Sequence, residues 1–181
     1  AARAISDDQR GLALAQARAF ALLAKFTQDA NDKETAYRRA ISRFGHCHRL
    51  SKPDREGAVE DGNAYYEQGL CYLELGRNRS DYREANNCFS KAKKAGLKTA
   101  ELYMAWGKTA FERRNPSRAA EYYRESYNLK ASIVACYFAT VSFAEAGSDG
   151  AARRMLERGI ADLSEDKQVG RLKELLGRIG R

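Results

Sequence analysis

Three stretches of this chain repeat one another, and that recurrence constrains the fold more than any other feature. The first runs Tyr65-Tyr66-Glu67-Gln68-Gly69-Leu70-Cys71-Tyr72 and continues through Leu75-Gly76 to Tyr82, Ala85, Phe89 and Ala92. The second runs Tyr103-Met104-Ala105-Trp106-Gly107-Lys108-Thr109-Ala110 and continues to Ala119, Tyr123 and Ser126. Gly69 and Gly107 stand 38 residues apart. A third copy holds Cys136, Ala139-Thr140, Phe143, Ala146-Gly147, Ala152, Leu156 and Gly159, with Thr140 in the glycine's place 33 residues further on. A degenerate copy lies upstream in Phe20, Leu23-Ala24, Thr27, Ala36 and Ala40, where Ala24 takes that place 45 residues before Gly69. Periods of this length mark arrays in which each unit buries its apolar face on a neighbour.

Glycine inside a helix costs about 1 kcal/mol against alanine, so Gly69 and Gly107 require a reason. Close approach of a partner helix supplies one. Tyr65, Tyr72, Phe89, Tyr103, Phe111 and Tyr123 fall at helical spacings that fill the remaining gap between helices. With only 2 prolines, and alanine and leucine outnumbering isoleucine and valine, the composition favours helices over sheets. At 44% hydrophobic and 31% charged residues the chain is outside the disordered class. No stretch reaches the roughly 20 apolar residues of a membrane-spanning helix.

The punctuation fits helix pairs. Asp81 is expected to cap a helix beginning at Tyr82, and Asn115-Pro116 places a cap before a first-turn proline. Gly147-Ser148-Asp149-Gly150 makes a turn, and Gly96 ends its helix in a left-handed conformation. Ser51-Lys52-Pro53-Asp54-Arg55-Glu56-Gly57 reads as a linker. Ser164 is expected to cap a final helix whose Val169, Leu172, Leu175, Leu176 and Ile179 form one apolar stripe. That helix would seal the last repeat, since an open array leaves its terminal face wet.

The order of aromatic, small residue, aromatic, then alanine, bulky residue and alanine resembles tetratricopeptide repeats. The stretch Gly76-Arg77-Asn78-Arg79-Ser80-Asp81-Tyr82, with Ala92, Ala95-Gly96, Ala100 and Gly107 after it, is similar to the longer Sel1-like variant. The resemblance covers residues 63–163 well and 12–49 poorly. Arg113-Arg114 replaces the Leu-Gly pair before the turn, and the proline that follows second helices in the family is missing. The resemblance implies an all-α, right-handed α-solenoid of antiparallel helix pairs with a C-terminal capping helix. Its parts would be a degenerate pair over 1–50, a linker over 51–62, three repeats over 63–163 and the cap over 164–181.

The resemblance also implies a concave surface lined by the first helix of each pair. Its exposed positions lie three before, one after and five after the small residue. Three before gives Ala21, Tyr66, Met104 and Tyr137; one after gives Lys25, Leu70, Lys108 and Val141. Five after gives Asp29, Glu74, Glu112 and Glu145, a carboxylate in every copy of a chain whose net charge is +8. In register these would form an acidic ladder beside an apolar row, suited to a basic and apolar peptide or helix of another protein. The bland alternative is that this offset ends a helix at its solvent edge, where polar residues are common. The mode that clamps a terminal carboxylate with Lys and Asn looks absent, because Tyr66, Leu70, Met104, Tyr137 and Val141 occupy those places.

The positive charge is spread along the chain. Residues 1–61, 62–98, 99–131 and 132–181 carry +2, +3, +2 and +1. A nucleic-acid-binding array using Lys91–Lys98 with Arg113, Arg114, Arg153 and Arg154 therefore ranks below a protein partner, and self-association through exposed ends is a third possibility. Cys47, Cys71, Cys88 and Cys136 contain no C-x-x-C pair and read as buried free thiols, which points to a reducing compartment. His46-Cys47-His48 is the one cluster with metal-ligand chemistry, but neighbours on a helix diverge, so no metal or other cofactor is expected. Phosphate loops, dinucleotide fingerprints and nucleophile elbows are all missing, so the expected role is a non-catalytic scaffold. Family resemblance suggests envelope, secretion or polysaccharide-export assembly, or chaperoning. The compartment expected is the cytoplasm or the cytoplasmic face of a membrane, or the periplasm if a signal once preceded Ala1.

Overall fold

A computed structural model describes residues 2–51 and 58–178, with side chains over 7–51 and 60–178. These residues are all-helical: α1 Ala2–Phe26, α2 Ala30–Leu50, α3 Ala58–Leu75, α4 Arg79–Lys94, α5 Ala100–Glu112, α6 Pro116–Leu129, α7 Ile133–Glu145, α8 Asp149–Asp162 and α9 Val169–Leu176. Three-residue connections join α1 to α2, α3 to α4, α5 to α6 and α7 to α8, making four antiparallel hairpins. The chain divides into two compact units, Ala1–Leu97 and Lys98–Arg181.

In the first unit the α1–α2 hairpin stacks on the α3–α4 hairpin through α2 and α3. Ala13, Ala17 and Ala24 keep α1 thin where it meets Ala36, Ala40 and Phe44 of α2, and Ala64, Cys71 and Leu75 of α3 complete the core. A polar knot ties the two hairpins together. Arg10 pairs with Asp61 at 2.8 Å and Glu60 at 3.2 Å, while Ser51 Oγ accepts from Arg10 Nε and donates to Asp61 at 2.7 Å. In the second unit α6 packs on α7, and α9 lies on α8 and α7. Tyr123, Tyr127, Cys136, Leu156 and Leu172 fill that core.

The repeated small residues do what their spacing implies. A Cβ on Gly69 would stand 2.5 Å from the ring of Phe89, and one on Gly107 would stand 2.6 Å from Tyr123. Thr140 is fully buried on α7, and Leu156 is fully buried on the antiparallel α8. In that last hairpin the glycine has moved to the second helix: a Cβ on Gly159 would meet Cys136 Sγ at 2.3 Å.

Three helices end in the same hydrogen-bonded loop. After α4, α5 and α7, the residues Gly96, Arg114 and Gly147 adopt φ of 95°, 55° and 70°. In each case that residue's N–H reaches back three residues and the next N–H reaches back five: Arg114 to Phe111 and Asn115 to Ala110, for example. Arg114 thus performs the glycine's task with a side chain attached.

Several expected boundaries move. Helix α3 begins at Ala58, inside the span expected to be linker, and residues 52–57 lie outside the described residues. Asn78, not Asp81, caps α4: its side chain accepts from Ser80 N and Asp81 N, while Asp81 accepts from Arg77 N. Asparagine reaches the free amides one turn earlier, so the helix gains three residues. Ser164 falls in an irregular turn and does not cap α9, which starts only at Val169. Ile179 lies outside the described residues. No described helix is long and apolar enough to cross a membrane.

Candidate protein-interaction site

The positions at fixed offsets from the small residues fall on single stripes of the first helices, because i, i+4 and i+8 share a helix face. Tyr66, Leu70 and Glu74 run along α3; Met104, Lys108 and Glu112 along α5; Tyr137, Val141 and Glu145 along α7. Their exposure differs along each stripe. Tyr66 is half-buried with its ring tilted against Phe89 at 6.1 Å, and Met104 is half-buried against the core of its unit. Val141 is half-buried, whereas Tyr137, Lys108, Glu74, Glu112 and Glu145 are exposed.

In the first unit, two of the stripes meet at a cavity of about 300 Å³. Leu70 and Glu74 line it from α3, Ala21, Leu22 and Lys25 from α1, and Tyr37 from α2. Arg18 closes one rim through a two-pronged pair with Glu67, at 2.8 and 2.9 Å. The Tyr37 hydroxyl is pushed up by burial, with Glu74 and Cys71 adding to the shift. Its apolar floor and charged rim resemble a seat for a side chain more than a reaction centre.

The carboxylates do not form the expected ladder of four. Asp29 lies on no first helix; it caps α2, where its Oδ1 accepts from Asn31 N and Asp32 N at 2.8 and 2.9 Å. Helix α1 ends at Phe26, only two residues past Ala24, so five residues past Ala24 the chain has already turned. Glu74, Glu112 and Glu145 keep the common position, each in the last turn of its helix. None of those last turns holds a basic residue, although α2 ends on His48 and Arg49, and α4 on Lys91, Lys93 and Lys94.

In the second unit a cavity of about 370 Å³ opens between α7 and α9. Tyr137, expected on the concave stripe, lines it together with Val134, Phe138, Gln168, Arg171, Glu174, Leu175 and Arg178, which the sequence reading did not single out as a site. Phe138 lies next to Tyr137, and Val134 and Phe138 are spaced as i and i+4 on a helix with few polar residues. That spacing was the available signal.

All four cysteines are free and buried. Burial pushes Cys71 and Cys88 up to about 12 and Cys136 up to about 11, so these thiols stay protonated near neutral pH. His48 stacks on Tyr65 at 3.7 Å between ring centroids. Among the described residues, no three His, Cys, Asp or Glu side chains converge as a metal would need.

No family model matches the chain, and no curated protein matches it by sequence. Solved structures do match. The assembly chaperone of RpL4, Acl4, aligns with a TM-score of 0.51 and 13% identity, over 88% of this chain and 67% of that one. A thermophilic TPR protein of Thermus thermophilus aligns with a TM-score of 0.49 and 12% identity, over 90% and 98% of the two chains. YrrB, a TPR protein with an unusual peptide-binding site, aligns with 0.45 and 19%, over 87% and 91%. Among the described residues the fold is all-α, built of antiparallel helix pairs, and in α3–α4 and α5–α6 a glycine of the first helix receives a ring of its partner.

Proposed function

We propose that the chain is a non-catalytic scaffold whose first-helix faces, α3 in the first unit and α5 and α7 in the second, each hold basic and apolar segments of another protein. The observation that carries this reading is the glutamate closing α3, α5 and α7. A helix C-terminus is the negative end of the backbone dipole, and a carboxylate there costs about 0.3–1 kcal/mol. The backbone dipole therefore gives no reason for an acid at these places, whereas a cationic partner does. Apolar neighbours on the same stripes, Leu70 and Tyr137 among them, supply the area that charge alone lacks. That a protein of like fold is an assembly chaperone accords with a protein as partner.

The test is affinity capture from the native lysate with mass spectrometry, followed by binding of the captured partner to the Glu74→Lys/Glu112→Lys variant. Two opposed effects are expected. Binding weakens about tenfold or more, while the melting temperature holds or rises slightly as the helix ends gain a cation. Unchanged affinity in that variant overturns the reading. If generic RNA or DNA binds instead, with affinity falling steeply as salt rises, the basic-array alternative takes its place. The partner's identity would also decide whether envelope, secretion or export assembly is the setting.

A further inference from the structure

The second unit offers a different chemistry at the other end of α7. Val134, Tyr137 and Phe138 are 53%, 42% and 41% exposed, an unusual amount for large apolar side chains grouped on one helix. They are rigidly held: Phe138 stacks on Tyr123 at 5.3 Å and meets Tyr137 edge-on at 5.6 Å. Leu175 of α9 forms the opposite wall, and together they border the 370 Å³ cavity, space for one or two large side chains.

The rim of this cavity is cationic. Arg171 on α9 and Arg178, two residues past its end, both line it, with Glu174 between them in sequence as the one acid of the lining. Gln168 Oε1 accepts from Arg171 at 3.4 Å, and among the described residues no carboxylate pairs with either guanidinium. Ile133 and Val134 belong to the first turn of α7, which carries no acidic residue, so the positive end of that helix faces the same space. An apolar floor under two arginines favours an anionic partner, and guanidinium groups grip carboxylates with two parallel hydrogen bonds.

We infer that the α7–α9 groove docks an acidic segment of another protein, one that places a large apolar side chain over Val134, Tyr137 and Phe138 and its carboxylates on Arg171 and Arg178. This rests on the scaffold reading but assigns the opposite charge to this end of the face. Glu145 stands eight residues from Tyr137 along α7, roughly 12 Å at helical rise, so both preferences fit on one helix.

Fluorescence polarisation on the intact chain tests it with three labelled ten-residue probes. All share a central Leu-Trp pair, flanked in turn by aspartates, lysines or serines. The aspartate probe should bind about tenfold tighter than the serine probe and weaken as salt rises. Arg171→Gln/Arg178→Gln, which keeps a helix-forming side chain at position 171 of α9, should remove that advantage, and Tyr137→Ser should weaken the aspartate and serine probes alike. Glu112→Lys should leave the aspartate probe unaffected. Equal binding of the aspartate and serine probes, or an aspartate preference that survives the double glutamine variant, overturns the inference. Tight lysine-probe binding that Glu74→Lys/Glu112→Lys abolishes, with no aspartate preference, overturns it while leaving the scaffold reading intact.

Discussion

Gly107 lies directly beneath Tyr123: a methyl group on its α-carbon would come within 2.6 Å of two ring carbons and 2.9 Å of a third. The ring is 3% exposed and cannot swing clear, so the clash must be relieved by parting α5 from α6. Gly107→Ala is expected to cost about 2 kcal/mol net, overpacking outweighing the better helix propensity of alanine. Gly69→Ala should behave alike against Phe89. Gly11, on α1 with nothing within 4 Å of its would-be Cβ, gives the opposite sign: Gly11→Ala should stabilise by about 0.5–1 kcal/mol. Urea denaturation of the three variants checks this, and equal shifts would defeat the close-approach account.

Arg114 carries the one positive φ of a non-glycine residue among those described, 55°. A left-handed residue with a Cβ is strained by about 1–2 kcal/mol, and glycine gives back about 0.5–1 through the freedom of the unfolded chain. Arg114→Gly is therefore expected to raise stability by about 0.5 kcal/mol. The reciprocal change, Gly147→Ala, should lower it by a similar or larger amount, although nothing lies within 4 Å of that site. Calorimetry of both variants supplies the measurement.

Asp29 and Glu74 separate capping from binding. Asp29→Ala leaves two amides of α2 without their acceptor and should cost about 1 kcal/mol. Its effect on partner affinity should be nil. Glu74→Gln should show the reverse, with melting unchanged and affinity reduced. A loss of affinity in Asp29→Ala would restore the carboxylate to the binding surface.

His48 predicts an acid limb to the stability curve. Burial lowers its pKa to about 4; Asp61 opposes the shift, while Lys91 and Arg10 reinforce it. Neither ring nitrogen has a partner within hydrogen-bonding geometry, although Gln68 nearby joins Asp61 in opposing the shift. The folded state thus takes up this proton less readily than the unfolded chain does. Its stabilising contribution is complete above about pH 6.5, declines as pH falls toward about 4, and is constant below. The full shift corresponds to about 3 kcal/mol, and solvent around a half-buried ring trims this to about 1–2. His48→Phe keeps the stacking on Tyr65 and should flatten the decline between pH 6.5 and 4 relative to the unaltered protein. Parallel curves for the two proteins across that interval would refute it.

Much of the fold was legible because its rules are local. Helix pairs, the glycines under rings, the cap at Asn115, the left-handed Gly96 and the turn at Gly147 each follow from a few neighbouring residues and the 3.6-residue period. The placement of the proposed binding residues was legible only in part. Offsets counted from Gly69, Gly107 and Thr140 placed the exposed Glu74, Lys108, Glu112, Tyr137 and Glu145 and the half-buried Leu70 on common stripes, but the same count put Asp29 on a face it does not reach. The offset presumes that a helix continues, and α1 stops first.

The amino-acid order alone determined that this chain forms helical hairpins and which side of each hairpin is tightly packed, since van der Waals contact between two helices demands small residues at set intervals. Tertiary structure decided the rest: the division at Leu97 and Lys98, the cavity beneath Leu70 and Tyr37, and the meeting of Arg171 and Arg178 with Val134 and Phe138. Those groupings join residues more than thirty positions apart, and nothing in a local pattern records which surfaces two separate helices will present to the same space.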